Sequence, residues 1–357
     1  MIGRTTRRRG VLAAVGLTAV LGMTMAACGS GGGGGSGSGE LTFVAFGGST
    51  QDAMTKAMVD PFAQESGVKV TSDQPTDYAK IKAMVEAGNT TWDVVDADVP
   101  IVMQECGTLF EKIDMSKIDT SDIPDNLKVT DCGVPNYRTG VVLYYNTEAY
   151  AGKPAPDSWD AFFDTKTYPG KRAIGADPLY VVEGVMKSIV HDNDKVYPID
   201  FDKVFAKLDT IKSDLVTWNT GAEAVQMMSS KQVNMIITWP GRASVAVDDG
   251  APYAPVWNAS VFAYDVWAIP KGAPHADEAI KFINYAIGAG PQSEFAKQVA
   301  YAPINTKATV PAESTTIGKF SMTFDKQDKY DVLQRNQKWW ADNWDMAHNK
   351  FSAWSVG

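Results

Sequence analysis

From Leu41 onward, short apolar runs alternate with amphipathic ones, and this alternation constrains the fold more than any other feature. "LTFVAF", "VKVTS", "WDVVDAD", "GVVLYYN", "KRAIGA", "VNMIITW" and "VFAYDVWAIP" read as strands. Between them, "TQDAMTKAMVDPFAQES", "DYAKIKAMVEAG", "VPIVMQECG", "GAEAVQMMSS" and "ADEAIKFINYAIG" read as helices. The first of these has an N-cap candidate at Ser49 or Thr50, and the second is closed by Gly88. Strand–helix alternation builds a parallel sheet covered on both faces, so the fold class is α/β. A chain of 357 residues is long enough for two lobes.

In such sheets, ligands sit beyond the carboxyl ends of strands. Four places there carry polar or aromatic residues. The first strand ends in "FGGST", where Gly47, Gly48 and Ser49 leave backbone N–H groups at a helix start, suited to an anion or a carbonyl oxygen; a plain tight turn is the other reading. "VNMIITW" ends in "WPGRAS", which puts Trp239 and Arg242 at a strand end and the following helix start. Tyr301 stands in the loop "AYAPIN". The fourth is Asp265, alone in the apolar run "VFAYDVWAIP". Side chains alternate along a strand, so Asp265 shares a face with Trp267 while Tyr264 looks the other way. A carboxylate among apolar groups costs several kcal/mol unless a protein group or a visiting cation neutralises it.

The N-terminus differs from the rest. Arg4, Arg7, Arg8 and Arg9 precede an uncharged run that ends in "MAAC", the layout of an export signal over residues 1–27. "TRRRGVL" leaves the general and twin-arginine routes both open. "MAAC" resembles a bacterial lipobox, with Met25 where Leu is preferred, so Cys28 is the expected lipidation site. The Gly/Ser run that follows, residues 28–39, then forms a flexible tether to the outer face of the cell membrane. Without the signal, 29 basic residues face 42 acidic ones, a formal charge of −13. That excludes nucleic acid and anionic membrane as electrostatic partners. Cys106 and Cys132 remain as a candidate disulfide outside the cell, with two reduced thiols as the alternative.

"VAFGGSTQDAMTKAMVDPFAQESGVKV", "GVVLYYNTEAYAGKPAPDSWDAFFD", "YDVWAIPKGAPHADEAIKFINYAI" and "WWADNWD" together resemble the extracellular solute-binding proteins of ABC importers, in the spermidine/putrescine-binding group. The resemblance covers roughly Leu41 to Trp354. It implies a two-lobed periplasmic-binding-protein fold of type II, with the ligand held between the lobes. Lobe 1 would be 40–143 plus 265–306, and lobe 2 would be 144–264 plus 307–357. It implies a monomer that delivers a small amine to an ABC permease, with no cofactor, metal or catalysis. Trp239, Asp265 and Tyr301 fall on the family's amine-holding positions, and Trp267 would add a second aromatic face. An ammonium suits a carboxylate through charge-assisted hydrogen bonds and an aromatic ring through cation–π attraction.

The chain departs from the polyamine pattern in two places. Asp177 and Glu183 are present in "GADPLYVVEG", but Tyr180 stands where an acid aligns. Arg242, with Arg138 as a second candidate, puts a cation where a polycation would lie. One acid and one base suit a zwitterion such as an ω-amino acid of the γ-aminobutyrate type, which stands slightly ahead of a polyamine. Arg242 could equally pair with Asp248 or Asp249 at the surface. A secreted hydrolase working through an acid pair, or a non-transport binding lipoprotein on the same fold, are the alternatives. His191, His275 and His348 lie far apart in sequence, and no nucleophile elbow or P-loop is present.

Overall fold

The computed structural model describes residues 39–356. The export signal, Cys28 and all of the tether except Gly39 lie outside the described residues. No helix among those described is long and apolar enough to cross a membrane.

The strands form one ten-stranded mixed sheet. They are β1 (Glu40–Val44), β2 (Lys69–Asp73), β3 (Val94–Asp98), β4 (Gly133–Asn146), β5 (Arg172–Gly175), β6 (Leu215–Trp218), β7 (Met235–Thr238), β8 (Tyr253–Ala268) and the two-residue β9 (Ala302–Pro303) and β10 (Leu333–Gln334). The order is β2-β1-β3-β8-β4-β7-β5-β6, with β10 beside β8 and β9 beside β4. At one end β2, β1 and β3 run parallel, and at the other β7, β5 and β6 do. Between them β4 and β8 run antiparallel to each other and to their outer neighbours. The expected all-parallel sheet therefore holds only in the outer thirds. Two long strands, 14 and 16 residues, carry the chain from one third to the other, and a strand that simply crosses has no helix to reverse it.

Buried residues separate along the same division. One cluster draws on Leu41–Tyr137 and Tyr264–Ile304. Two others draw mainly on Val141–Phe262 and on residues after 317. The β4–β8 ladder passes through both regions, with register shifts at Pro135/Arg138 and Val142/Leu143. Gly140 sits between these shifts at φ +135°, where a Cβ would lie 1.9 Å from the Val261 carbonyl oxygen, so only glycine permits this approach of the two strands.

Local chemistry sets the helix ends. Asp77 caps the helix Tyr78–Glu86 by accepting from the Lys80 N–H at 3.0 Å, and Gly88 follows it at positive φ. The helix that starts the α-layer begins at Gly48, one residue before the expected cap, with Gly47 in the cap position and no side-chain cap. Ser49 is thereby free to serve another partner. The C-terminal helix, Gln337–Ser355, packs against the short helix Val99–Gln104 of the other half, where Gln104 Nε2 donates to Asp345 at 3.2 Å.

Cys106 and Cys132 form a disulfide that closes a 26-residue separation. It pins the loop following Val99–Gln104 to the start of β4. By loop-closure entropy, replacing both cysteines with serine should cost about 3.5 kcal/mol of stability, read as a lower urea midpoint with a steeper slope as the unfolded chain expands. A midpoint that does not move would show that the crosslink adds nothing to the folded state.

Candidate ligand-binding site

A cavity of about 440 Å³ opens where the two halves of the sheet meet. Phe46, Thr50, Asp98, Tyr137, Asp265 and Tyr301 line it from the half built on β1–β3. Asp177, Tyr180, Asn219, Thr220, Trp239, Arg242 and Arg335 line it from the other.

Its acidic wall follows from strand register. β3 and β8 are antiparallel, and Asp98 stands directly opposite Asp265. Cross-strand partners have Cβ atoms about 5 Å apart, so two carboxylates project side by side, an unfavourable pairing by itself. Asp96, two residues back on β3, lies behind them and is fully buried. Tyr137 Oη is 2.5 Å from Asp265 Oδ2 and 3.2 Å from Asp96 Oδ2. Asn136 Nδ2 donates to Asp96 Oδ1 at 2.9 Å, and Tyr78 Oη donates to Asp98 Oδ2 at 2.7 Å. Among the described residues, no lysine, arginine or histidine forms a salt bridge with Asp96, Asp98 or Asp265. Burial pushes the Asp265 carboxyl well above its usual range, and repulsion from Asp96 and Asp98 adds to this against the Tyr137 hydrogen bond and the more distant Arg335. Burial likewise raises Asp98, and it raises Asp96 to about 7.

Aromatic rings form the opposite wall. Trp239 ends β7 and starts the helix Pro240–Asp248. Its ring is held edge-on by Tyr180 and Trp218, both with centroids at 4.7 Å. Tyr301 stacks on Tyr137 at 4.9 Å, which fixes the phenol that contacts Asp265.

Two arginines border the cavity, with His348 behind Asp177, and the three differ in what they already hold. Arg335 is committed: its Nε and Nη2 reach Glu183 Oε2 at 3.0 and 2.8 Å, and Nη2 also donates to the Leu179 carbonyl. His348 lies 3.3 Å from Asp177 Oδ2 and 2.8 Å from the Trp344 carbonyl oxygen, so both ring nitrogens face acceptors. Burial alone would lower its pKa, but Asp177 raises it. Arg242 reaches across the gap, with Nη1 3.0 Å from Ser49 Oγ and Nη2 3.0 Å from the Gly47 carbonyl oxygen. Its Nε is buried and has no partner.

The structure brings together Asp265, Trp239, Arg242 and Tyr301. It puts the other expected site residues elsewhere. Trp267 is fully buried between Phe43 and Phe282, at 5.9 and 5.4 Å, in the core of the β1–β3 half. It shares the face of Asp265, but the helix Ala276–Ala286 covers that face two residues further on. Gly47, Gly48 and Ser49 do not line the cavity either. The Gly47 N–H is taken by Gln51 Oε1 at 3.1 Å, and the turn presents a carbonyl and a hydroxyl to Arg242 rather than bare N–H groups to a ligand. Arg138 lies on the other side of β4, over the Phe324 ring and bonded to Gln327. Arg242 makes no salt bridge with Asp248 or Asp249. Sequence reading missed Asp98, Tyr137 and Arg335. Asp98 was visible as an acid at the end of a strand, whereas Arg335 depends on a partner 152 residues away.

Residues 57–320 match the family of bacterial extracellular solute-binding proteins, and the chain belongs to it. Among individual relatives, it is 29% identical to the gamma-aminobutyric acid-binding protein of Pseudomonas aeruginosa, over 88% of this chain and 91% of that one. It is 24% identical to the spermidine/putrescine-binding periplasmic protein of Escherichia coli, over 70% and 74%. Among solved structures, an agropinic acid complex of a binding protein from Agrobacterium tumefaciens R10 superposes with a TM-score of 0.80, 32% identity and coverage of 89% and 99%. A GABA receptor gives 0.78, 34%, 88% and 97%. The fold is the two-lobed one of periplasmic binding proteins.

A carboxylate whose pKa is raised by folding keeps a proton that the unfolded chain releases above about pH 4, so stability falls as pH rises from there through the folded value, by up to about 1.4 kcal/mol per unit for each such group. Asp265→Asn should therefore leave the empty protein as stable as the parent at pH 5 and more stable at pH 7.5. Scanning calorimetry at the two pH values checks this. A variant less stable at both would make Asp265 a structural partner rather than an uncompensated charge.

Proposed function

We propose that this chain is the capture component of an ABC importer for a small amine, with an ω-amino acid of the γ-aminobutyrate type as the preferred class. The observation that carries this reading is the Asp98–Asp265 pair, which faces the cavity with no salt-bridge partner among the described residues. An ammonium placed there relieves the repulsion between the two carboxylates and makes charge-assisted hydrogen bonds to both. The Trp239 face, with Tyr301 and Tyr137 nearby, suits the same cation and the adjoining methylenes.

Arg242 supports the carboxylate end. A buried guanidinium N–H without an acceptor is a poor arrangement unless a ligand supplies one. The gamma-aminobutyric acid-binding relative and the GABA receptor fit this class. A polyamine is the second reading, favoured by Asp177 as a further cavity carboxylate and by the spermidine/putrescine-binding relatives. On either reading the ligand leaves chemically unchanged, and the protein works as a monomer. The signal, Cys28 and the Gly/Ser run make it a lipid-anchored protein on the outer face of the membrane. Cys28→Ser should release it into the medium; if the variant stays membrane-bound, the anchor is elsewhere.

Melting shifts with γ-aminobutyrate, putrescine, spermidine, neutral amino acids and betaine test the ligand class. γ-Aminobutyrate should give the largest shift. Arg242→Ala should weaken γ-aminobutyrate more than about tenfold, as expected for loss of a charged hydrogen bond, and leave putrescine unchanged or tighter. No shift with any amine would overturn the reading. Equal loss for both ligands would assign Arg242 to lobe closure alone.

A further inference from the structure

The phenol of Tyr137 has one proton and faces two carboxylate oxygens, Asp265 Oδ2 at 2.5 Å and Asp96 Oδ2 at 3.2 Å. With both carboxylates ionised, the hydroxyl can donate to only one. The other oxygen would then face the phenol's lone pairs in a place without water. A single extra proton resolves this. Held on Asp265 Oδ2 or on Asp96 Oδ2, it is donated to Tyr137 Oη, and Tyr137 in turn donates to the other carboxylate. Asn136 completes the set by donating to Asp96 Oδ1. Every contact then has one donor and one acceptor. Asp265 is left with Oδ1 for the cavity, and this arrangement belongs to the empty state.

We propose that the empty site stores one proton on the Asp96–Tyr137–Asp265 relay, and that a ligand ammonium binds by exchanging for it. The proton passes to solvent as the cation arrives, so the buried cluster keeps a nearly constant charge. This rests on the amine reading above and adds a mechanism of selection to it. Only a ligand that brings a full positive charge can take the proton's place, so uncharged analogues of the same shape are rejected.

The groups facing the relay are consistent with a proton shared there. Asp98 stands beside Asp265 on β3, and Asp177 contributes further negative charge to Asp98. Arg335 acts on Asp265 from a distance while bonded to Glu183, and Arg242 acts on Tyr301. Tyr78, Tyr180 and Tyr301 have their pKa values raised by burial and stay neutral across the relevant range. Asp96 is raised to about 7. His348, beside Asp177, has its pKa raised as well and is the control for a titration outside the relay.

Calorimetry of the mature chain with γ-aminobutyrate and with putrescine, from pH 5.5 to 8.5 in phosphate and in imidazole, tests the exchange. The buffer dependence of the heat counts protons released. About one per ligand is expected at pH 6, falling towards none at pH 8.5, with affinity weakening roughly tenfold per pH unit below about 7. Asp96→Asn removes a repelling carboxylate and should move this break to lower pH. Tyr137→Phe removes the oxygen that accepts the stored proton and passes a hydrogen bond on to the second carboxylate, and should likewise move the break to lower pH. His348→Gln should leave it in place. A merely structural role would weaken binding evenly without moving the break. If Asp96→Asn fails to fold, the direction of the Tyr137→Phe shift decides. Binding without proton release at pH 6, or a break that moves only in His348→Gln, would overturn the exchange while leaving the amine reading intact. No binding of either probe by the parent protein would overturn both.

Discussion

Two carboxylates that face each other across a β-ladder, with no salt-bridge partner among the described residues, set the character of this site. A protein of this size buries other charges at no such disadvantage. Arg172 is fully buried, yet its guanidinium donates to the carbonyls of Phe162, Tyr168 and Gly170. Lys326 is nearly as deep and donates to three carbonyls at the end of the helix Thr316–Phe320. Arg335 and Glu183 neutralise one another. Each of these groups is satisfied inside the chain. Asp98 and Asp265 receive one phenol hydrogen bond each, and otherwise face an opening. Unpaired charge is tolerated at the mouth of a cavity because water or a ligand can supply what the protein withholds.

The register that creates this pair follows from topology. Each outer part of the sheet is an ordinary parallel unit. The chain must pass between them, and it does so along β4 and β8. A crossing strand that meets β3 antiparallel puts its own residues against the carboxyl end of β3, which is where ligands collect in α/β sheets. Asp265 therefore reaches the ligand position from a strand that is otherwise core, and Asp98 reaches it from a strand end. Gly140 makes the crossing possible by admitting the Val261 carbonyl where any side chain would collide.

This explains which parts of the molecule were legible in the sequence. Strand–helix alternation gave the two parallel units, because each needs only local pattern. The lone acid in an apolar strand marked Asp265, and the strand-end position marked Trp239 and Arg242. Period-two alternation put Trp267 on the correct face but could not say how far along the strand that face stays open; Phe282, from a helix that follows β8, closes it. The glycine turn at Gly47 and Gly48 leaves an N–H donor site and a plain tight turn both open in the sequence. In the structure Gln51, four residues on, takes the Gly47 N–H, and the Gly47 carbonyl accepts from Arg242. Arg335 and Tyr137 owe their roles to partners distant in the sequence, and no local pattern encodes such pairings; Asp98 carries the local signal of a strand-end acid.

The two ends of the site differ in what they require of the lobes. Asp98, Asp265, Tyr137 and Tyr301 all come from the half built on β1–β3, and Trp239 faces them from the other. Arg242 belongs to the other half and is fixed by contacts across the gap. A Cβ at Gly48 would lie 2.7 Å from its Nη1, and one at Gly221 would lie 2.4 Å from its Nε, so the guanidinium fits between glycines of the two halves. Its hydrogen bonds to the Gly47 carbonyl and Ser49 exist only while the halves are together. On the reading proposed above, an amine can dock on the first half while the cleft is open, and the carboxylate end forms only on closure. A zwitterion then stabilises the closed form more than a simple monoamine, because only the zwitterion engages the group that spans the cleft. Preference for one ligand over another would lie in the closed state, where the contacts of the two halves are counted together.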